Sequence, residues 1–310
     1  MSAGEMSNGI LSQDQIILIS HYKNKTKKIL RLYARNRSAM IGTTILTIYL
    51  LMAIFAPFIA PHGPFETIRN EEGIPQDLQP PSESNLLGTN TLAQDVFSQW
   101  VWGSRVSILV GILSGLVVVI VGGTVGLIAG YYRGNVDLVV MRIVDMLFAI
   151  PVLPFILLIG LFFGASVWNV ILVMAVLMWR NMARVIRSGA LSHAQRPYVK
   201  SARAAGASNT RIMAFHIAPN LLPLAVTEGT MAAGLAVTLE ANISFLGFGA
   251  QDLTSWGSML QLAFSSGAIR TAWWWVIPPG FTITTLVLSF FFIARGLEEV
   301  LNPEKEKGII

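Results

Sequence analysis

The chain has 310 residues, of which 53% are hydrophobic and only 13% charged, a balance that excludes an ordinary soluble domain. It contains no cysteine, which excludes a disulfide-stapled module, a thiolate nucleophile, an iron–sulfur cluster and a thiolate zinc site. The four histidines are scattered along the chain, which argues against a histidine metal cluster. The net charge is +5, and the positions of the charges are more informative than their sum. We therefore expect a membrane protein with no metal, no cofactor of its own and no nucleic-acid partner.

Six apolar stretches are long enough to cross a bilayer, whose core of about 30 Å needs about 20 helical residues. They span residues 41–60, 106–129, 138–163, 167 to about 187, 222–248 and 273–294. The first lies too far from the N-terminus and lacks the cleavage site of a signal peptide, so we expect it to be retained. The second lacks the two-residue alternation of a membrane barrel strand. The pattern predicts an all-α, polytopic membrane protein with six transmembrane helices.

Lysine and arginine residues predict the orientation of these spans. Residues 1–40 carry seven of them against two acids, and residues 180–222 carry seven with no acid, so both segments are expected in the cytoplasm. Residues 61–104 carry six acids and only Arg69, which predicts an outer loop. The expected organisation is a cytoplasmic tail at 1–40, a first span at 41–60, an outer loop at 61–104, a five-helix core at 105–294 with a cytoplasmic loop at 188–220, and a cytoplasmic tail at 295–310.

Glycines and prolines indicate how the spans pack. Five glycines of the second span share one helix face, which favours close packing against another helix of this chain or of a partner: Gly111, Gly115, Gly122, Gly126 and Gly130. Proline pairs in the third and sixth spans remove backbone donors and are expected to bend those helices: Pro151 with Pro154, and Pro278 with Pro279.

Four ionisable residues fall within the predicted spans: Arg142, Asp145, Glu228 and Glu240. Such residues are costly in a membrane and are candidates for a translocation path or for intramembrane pairing. Arg142 and Asp145 are three residues apart, so we expect them to pair with each other. Glu228 and Glu240 have no second acid one turn away and no nearby histidine, which argues against a metal site or a proton relay. Either of them is a candidate to line the path.

The cytoplasmic segment 196–220 predicts two short helices joined at a glycine. Pro197 suits the first turn of the first helix, Gly206 can end it, Ser208 can cap the second helix, and Pro219 can stop it. A small apolar face of the first helix is expected to comprise Tyr198, Ala202 and Ala205. Such a pair serves as linkage, as an anchor at the membrane surface, or as a helix that docks into a cleft of a partner protein.

This segment resembles the coupling motif of ABC importer permeases, in which Glu-Ala-Ala, three residues, Gly, nine residues and then Ile-x-Leu-Pro contact the ATPase subunit. Ala202, Gly206 and Pro219 match at those spacings, whereas Lys200, Ser201 and His216 stand where the pattern has Glu, Ala and Ile. The resemblance implies an ATPase-coupling loop comprising Tyr198, Lys200, Ser201, Ala202, Arg203, Ala205, Gly206, Ala207, Ser208, Arg211, His216 and Pro219.

Other segments resemble the second permease subunit of the dipeptide, oligopeptide and nickel branch of this family. They lie at 86–95, 102–107, 141–145, 239–249 with 255–257, and 295–303. The resemblance implies that one chain is half a pore in a prokaryotic plasma membrane. Its expected partners are a homologous second permease, two ATP-binding cassette ATPases, an extracytoplasmic substrate-binding protein and membrane lipid.

The energy source is expected on the partners. The chain has no Gly-x-x-x-x-Gly-Lys-Ser/Thr loop, so ATP and Mg would be bound by the ATPase subunits and the chain itself would not be an enzyme. The glycine face of the second span is a candidate contact with the second permease. The outer loop after the fifth span is a candidate docking site for the binding protein, with Gly247, Gly249, Asp252 and Trp256 as its residues.

Alternatives remain open at this point. A secondary transporter would have two related halves and coupling-ion carboxylates, and a membrane-embedded enzyme would have a nucleophile with a base; neither pattern is present. An oligomeric channel leaves the cationic loop without a role. Within the importer class, the cargo is expected to be a dipeptide or oligopeptide, with a nickel or other metal chelate or an oligosaccharide as alternatives, because fold does not select a cargo.

Overall fold

The computed structural model of the chain describes residues 31–164, 166–250 and 252–301, so the expectations for residues 1–30, Asn302 and Pro303 lie outside the described residues. Its principal helices are α1 (Arg37–Ile54), α2 (Val96–Tyr132), α3 (Gly134–Phe148), α4 (Val152–Phe163), α5 (Val167–His193), α6 (Pro197–Ala204), α7 (Asn209–Phe245), α8 (Trp256–Ser265) and α9 (Trp273–Leu301). Helix α2 passes through a π-helical turn at Val118–Gly122, and α7 passes through one at Met213–Ile217.

The all-α prediction is confirmed. Five helices, α1, α2, α5, α7 and α9, are long and apolar enough to cross a membrane, and α3 with α4 makes a sixth if that bent pair is one span. The described ranges contain no β-strand, only isolated bridges in the outer loop, such as the one between Thr67 and Gln94. Short helical turns lie at Ala56–Ile59 and Ala268–Arg270.

Two helix boundaries differ from the predicted ones for local reasons. Helix α2 begins at Val96, ten residues before the predicted span, because the Asp95 carboxylate caps it by accepting from the Ser98 amide at 2.8 Å and the Ser98 hydroxyl at 2.6 Å. Helix α1 ends at Ile54 rather than at residue 60, since Pro57 has no amide hydrogen to donate to the carbonyl oxygen four residues before it.

The third span is broken at the position predicted from its prolines. Helices α3 and α4 meet at 80° across residues 149–151, because Pro151 has no amide hydrogen to continue the helix. The buried guanidinium of Arg180 donates from Nη1 to the carbonyl oxygens of Leu147 and Ile150. The carbonyls freed by the break are thus hydrogen-bonded within the chain. The second proline pair does not interrupt its helix: α9 runs through Pro278 and Pro279.

The glycine face of α2 packs inside the chain. A Cβ atom at Gly115 would lie 2.9 Å from the Gly229 carbonyl oxygen of α7, and one at Gly126 would lie 2.4 Å from the Ala183 carbonyl oxygen of α5. These glycines therefore allow α2 to approach both helices closely. The packing role predicted for this face is confirmed, but the expectation that it contacts a second permease is wrong, because α5 and α7 already cover it.

Candidate functional site

The bend between α6 and the start of α7 is a helix-ending motif that only glycine adopts without strain. Gly206 has φ +81°, and its amide donates to the Arg203 carbonyl at 3.0 Å. The Ala207 amide donates to the Ala202 carbonyl at 3.1 Å, which completes a Schellman motif. No atom lies within 4 Å of a Cβ built at Gly206, so the backbone conformation, and not space, requires glycine here.

The second half of this loop is continuous with a membrane helix. The Ser208 hydroxyl caps α7 by accepting from the Arg211 amide at 3.3 Å, as predicted. The prediction that Pro219 ends a second short helix is wrong. Pro219 lies in the first turn of the α-helical segment Ala218–Phe245, directly after the π-helical turn, and the whole of α7 runs as one helical stretch of 37 residues.

The side chains of the loop divide into a buried and an exposed side. Val199 and Ile212 are fully buried, and Ala202 packs against the same hydrophobic cluster. Tyr198 is 38% exposed, Ala205 is exposed and Ala202 is half-buried, so two residues of the predicted face are accessible to a partner, and the docking of this face stays a prediction. The other predicted coupling residues are exposed at Lys200, Ser201, Arg203, Gly206, Ser208, Arg211 and Pro219, and half-buried at Ala207 and His216.

Tyr131, at the end of α2, holds both sides of the glycine bend, and sequence analysis did not identify it. Its hydroxyl donates to Asn209 Oδ1 at 2.7 Å and accepts from Arg203 Nη2 at 3.3 Å. The Arg203 guanidinium also lies 5.8 Å from the centre of the Tyr131 ring. The only sequence signal is the Tyr131-Tyr132 pair at the cytoplasmic end of an apolar helix, which equally fits an interfacial aromatic belt.

Two aromatic side chains of the loop, Tyr198 and Phe215, have different surroundings. Partial burial raises the pKa of the Tyr198 hydroxyl, so it stays protonated at neutral pH, and it lies 2.7 Å from His193 Nδ1 at the end of α5. Phe215 is 73% exposed in the π-helical turn of α7. So large an exposed apolar side chain in this loop favours a partner or the membrane surface as its neighbour.

The predicted pairing of Arg142 with Asp145 is wrong. Asp145 Oδ1 accepts from Arg184 Nη2 at 2.6 Å, and Arg142 is exposed and forms no ion pair within the described part of the chain. A second acid of α3, Asp137, receives two hydrogen bonds from Arg187, one of them at 2.6 Å from Nη2 to Oδ2. Both acids thus bind α5, because α3 and α5 lie side by side and their charges match along that contact.

Glu240 is a buried structural carboxylate. It is 3% exposed, and its two oxygens accept from the Ser107 hydroxyl of α2 at 3.2 Å and from the Ser244 hydroxyl at 2.7 Å. These hydrogen bonds satisfy a polar group at membrane depth and join α2 to α7. Glu240 lines none of the cavities described below, so its predicted place in a translocation path finds no support in the structure.

Glu228 lies in an open groove between α5 and α7, which we call the membrane groove. A cavity of about 310 Å³ at the end of the groove nearer the loop between α5 and α7 includes Ser192, Asn220, Glu228 and Met231. A second cavity of about 120 Å³ shares Glu228 and Met231 and continues along α7 to Leu235. The spacing of Leu224, Glu228, Met231 and Leu235 places them on one face of the helix.

The four residues after the fifth span that were predicted to dock a binding protein differ in their surroundings. Trp256, predicted to dock a binding protein, is fully buried and donates from Nε1 to the Trp100 carbonyl at 2.9 Å, so that expectation is wrong. Gly247 has φ +88° at the end of α7, and a Cβ at Gly249 would lie 2.4 Å from Ser244 Oγ. Asp252 is exposed and lines an outer cleft of about 510 Å³ with Trp102, Arg105 and Trp168 among its other residues.

No group of three or more potential metal-ligating side chains occurs among the residues that the structure describes. The arrangement contains no paired nucleophile and base within the membrane groove. It comprises a cationic, partner-accessible loop at one membrane face, a long helix that continues from this loop, and a groove along that helix.

Two families of known proteins match segments of this chain. The family described as "Binding-protein-dependent transport system inner membrane component" matches residues 122–307, and the family described as "N-terminal TM domain of oligopeptide transport permease C" matches residues 26–81. The dipeptide transport system permease protein DppC of Alkalihalophilus pseudofirmus is 33% identical over 94% of this chain and 93% of its own length.

Two further relatives show the range of the family. The DppC protein of Haemophilus influenzae is 34% identical over 88% of this chain and 92% of its own length. The glutathione transport system permease protein GsiD of Pectobacterium atrosepticum is 33% identical over 88% of this chain and 89% of its own length. Because one family match covers more than half of the chain and these relatives align over most of it, the chain belongs to the binding-protein-dependent transport system inner membrane components, the permease subunits of ABC importers.

Proposed function

We propose that this chain forms half of the translocation pore of an ATP-driven peptide importer in a prokaryotic plasma membrane. The observation that carries the proposal is the continuity between the exposed loop and the groove. Helix α7 begins in the loop at Asn209, beside the Gly206 bend, and the same helix lines the membrane groove with Glu228 and Met231. A displacement of the loop is therefore transmitted to the groove through one helix.

The loop from Pro197 to Ile217 is the proposed docking site for an ATPase subunit. Its exposed side carries Lys200, Arg203 and Arg211, and its buried side is fixed to the rest of the chain through Val199, Ile212 and Tyr131. A partner that binds the exposed side more tightly in one orientation of the pore than in the other shifts the pore toward that orientation by the difference in binding free energy. In the proposed complex, ATP and Mg bind to two such ATPases, and this chain performs no hydrolysis.

A chain that forms only half of a pore requires further subunits. A second, homologous permease would complete the pore, and an extracytoplasmic binding protein would deliver cargo to the outer face, where Asp252 is exposed. Both termini are proposed to be cytoplasmic, since the cationic loop and the first 40 residues lie on the same side by charge distribution. The peptide cargo rests on the names of the relatives, two of which are dipeptide permeases and one a glutathione permease.

The test is reconstitution of the complete transporter. This chain is purified with the subunits that accompany it, placed in proteoliposomes, and supplied with the binding protein and labelled dipeptide, tripeptide, glutathione, nickel chelate or oligosaccharide. We expect binding-protein-stimulated ATP hydrolysis together with peptide uptake. Stimulation and uptake with a metal chelate or an oligosaccharide alone would replace the cargo, and solute flux without ATP would overturn the importer mechanism in favour of a channel or a secondary transporter.

A further inference from the structure

Glu228 is an acidic side chain of the membrane groove without an ion-pair partner among the residues that the structure describes. It lies about five turns before the end of α7 at Phe245, by the 3.6 residues per turn of a helix, and it lines the cytoplasmic cavity. It is half-buried, and no lysine, arginine or histidine among the described residues forms an ion pair with it. Asp137, Asp145 and Glu299, by contrast, each bind an arginine.

The charged surroundings of Glu228 are negative. The neighbouring cytoplasmic cavity includes the Glu298 carboxylate of α9, and the two carboxylates repel each other through space. The one basic side chain in the lining of that cavity is His193, whose Nδ1 lies 2.7 Å from the Tyr198 hydroxyl. A carboxylate held half out of water near a second carboxylate favours a cationic ligand, because the ligand restores the interactions lost on burial.

The smaller cavity of the groove, of about 120 Å³, is adaptable and largely apolar. Around Glu228, the lining of this cavity contains Met178, Met182 and Met231, together with Asn181. Methionine side chains are flexible and polarisable, and surfaces rich in them accept ligands of different shape. This part of the groove therefore combines a lining that tolerates varied side chains with the carboxylate of Glu228.

We propose that the Glu228 carboxylate binds the N-terminal ammonium group of a peptide as it passes through the membrane groove. This inference rests on the proposed function, because it requires a peptide cargo. Every linear peptide with a free N-terminus carries this cation whatever its sequence, so one carboxylate provides a contact that is independent of side-chain identity. The methionines accommodate the side chains, and the contact is a charge-assisted hydrogen bond in a partly desolvated site.

The experiment measures peptide uptake per ATP hydrolysed by the complete reconstituted transporter with its binding protein. The substrates are labelled alanylalanine and N-acetyl-alanylalanine. The Glu228→Gln variant keeps the shape of the side chain and removes its charge, and we expect it to lower alanylalanine uptake per ATP by about tenfold, the effect of losing one hydrogen bond to a charged group. The Glu228→Asp variant keeps the charge and is expected to retain most of the uptake.

The matched control is Glu299→Gln, which removes the same charge at the cytoplasmic end of α9, where Glu299 binds Arg295 at 3.1 Å outside the groove lining. We expect it to behave as the unmodified chain does. Because the same binding protein delivers both substrates to every variant, any preference of its own cancels when variants are compared. We expect Glu228→Gln to leave the small uptake of the acetylated peptide unchanged.

Three outcomes would overturn the inference. Unchanged alanylalanine uptake per ATP in Glu228→Gln would show that the carboxylate is not required, and equal losses in Glu228→Gln and Glu228→Asp would show a role in packing. Equal losses for both substrates would show that the ammonium group is not the ligand. If the unmodified transporter hydrolyses ATP with its binding protein but takes up no peptide, the proposed peptide function fails as well, which distinguishes that failure from the first three.

Discussion

The Tyr131 hydroxyl donates a hydrogen bond to Asn209 Oδ1 at 2.7 Å, so the C-terminal end of α2 is joined directly to the first turn of α7. The same hydroxyl accepts from Arg203 on the other side of the Gly206 bend. One side chain therefore fixes the relative positions of two helices and of the loop proposed to bind an ATPase.

Tyr131→Phe should weaken both stability and coupling. The substitution keeps the ring but removes both hydrogen bonds, so we expect a loss of about 1–2 kcal/mol in the free energy of unfolding. We also expect less peptide uptake per ATP, since the loop is then less firmly attached to α2. Tyr132→Phe is the control, because Tyr132 packs edge-on against Tyr131 at 5.3 Å and its hydroxyl has no hydrogen bond within the described chain. Equal behaviour of the two variants would contradict the proposed role of Tyr131.

Replacing Gly206 by a β-branched residue should uncouple transport from ATP hydrolysis. Valine at φ +81° is strained by about 1–2 kcal/mol, so Gly206→Val is expected to straighten or shift the bend while the membrane helices remain inserted. Gly206→Asn is the matched variant, because asparagine tolerates the left-handed region, and it should retain most of the uptake. The measurement is uptake per ATP in proteoliposomes, and normal uptake with Gly206→Val would count against the coupling loop.

The close contact between α2 and α5 predicts opposite results at two glycines three residues apart. Gly126→Ala places a Cβ 2.4 Å from the Ala183 carbonyl oxygen, and we expect this overpacking to destabilise the chain by about 1–3 kcal/mol. Gly123→Ala meets no atom within 4 Å and should be neutral or slightly stabilising, because alanine has the higher helix propensity. Thermal unfolding in detergent measures both. A larger loss at Gly123 than at Gly126 would refute the packing described for this face.

The two ion pairs between α3 and α5 should differ in strength. Asp137 is 16% exposed and receives two hydrogen bonds from Arg187, so Asp137→Asn should cost about 1.5–3 kcal/mol. Asp145 is 53% exposed and receives one, so Asp145→Asn should cost less than about 1 kcal/mol. A double-mutant cycle with Arg187→Gln isolates the Asp137 pair, and a coupling energy near zero would show that the pair does not stabilise the helix contact.

The sequence predicted those features that depend on one segment at a time. The apolar lengths predicted the membrane helices because a bilayer imposes a minimum length, and Gly206 predicted the bend because few other residues adopt its conformation. Pro151 likewise predicted the break in the third span. The bounds were less accurate, since capping by Asp95 and the π-helical turn before Pro219 extend the helices beyond their apolar parts.

The features that escaped prediction depend on contacts between distant segments. Asp145 binds Arg184 instead of its neighbour in sequence because α3 lies against α5, and charge spacing along one helix does not reveal that contact. Trp256 follows a loop expected at the surface, yet its ring is buried against Tyr49 at 5.9 Å. Tyr131 has the composition of an ordinary interfacial residue, and only the folded chain brings it to Asn209.

Helix α7 continues through its π-helical turn and is long enough to carry a movement from one side of the membrane to the other. Its 37 residues extend about 55 Å at the rise of an α-helix, nearly twice the thickness of the apolar bilayer core. A rod of that length acts as a lever: a tilt of about 5° at one end moves the other by about 5 Å, by the helix dimensions alone. In the proposed importer, a small displacement of the loop by an ATPase would therefore move the far end of α7 by several ångströms.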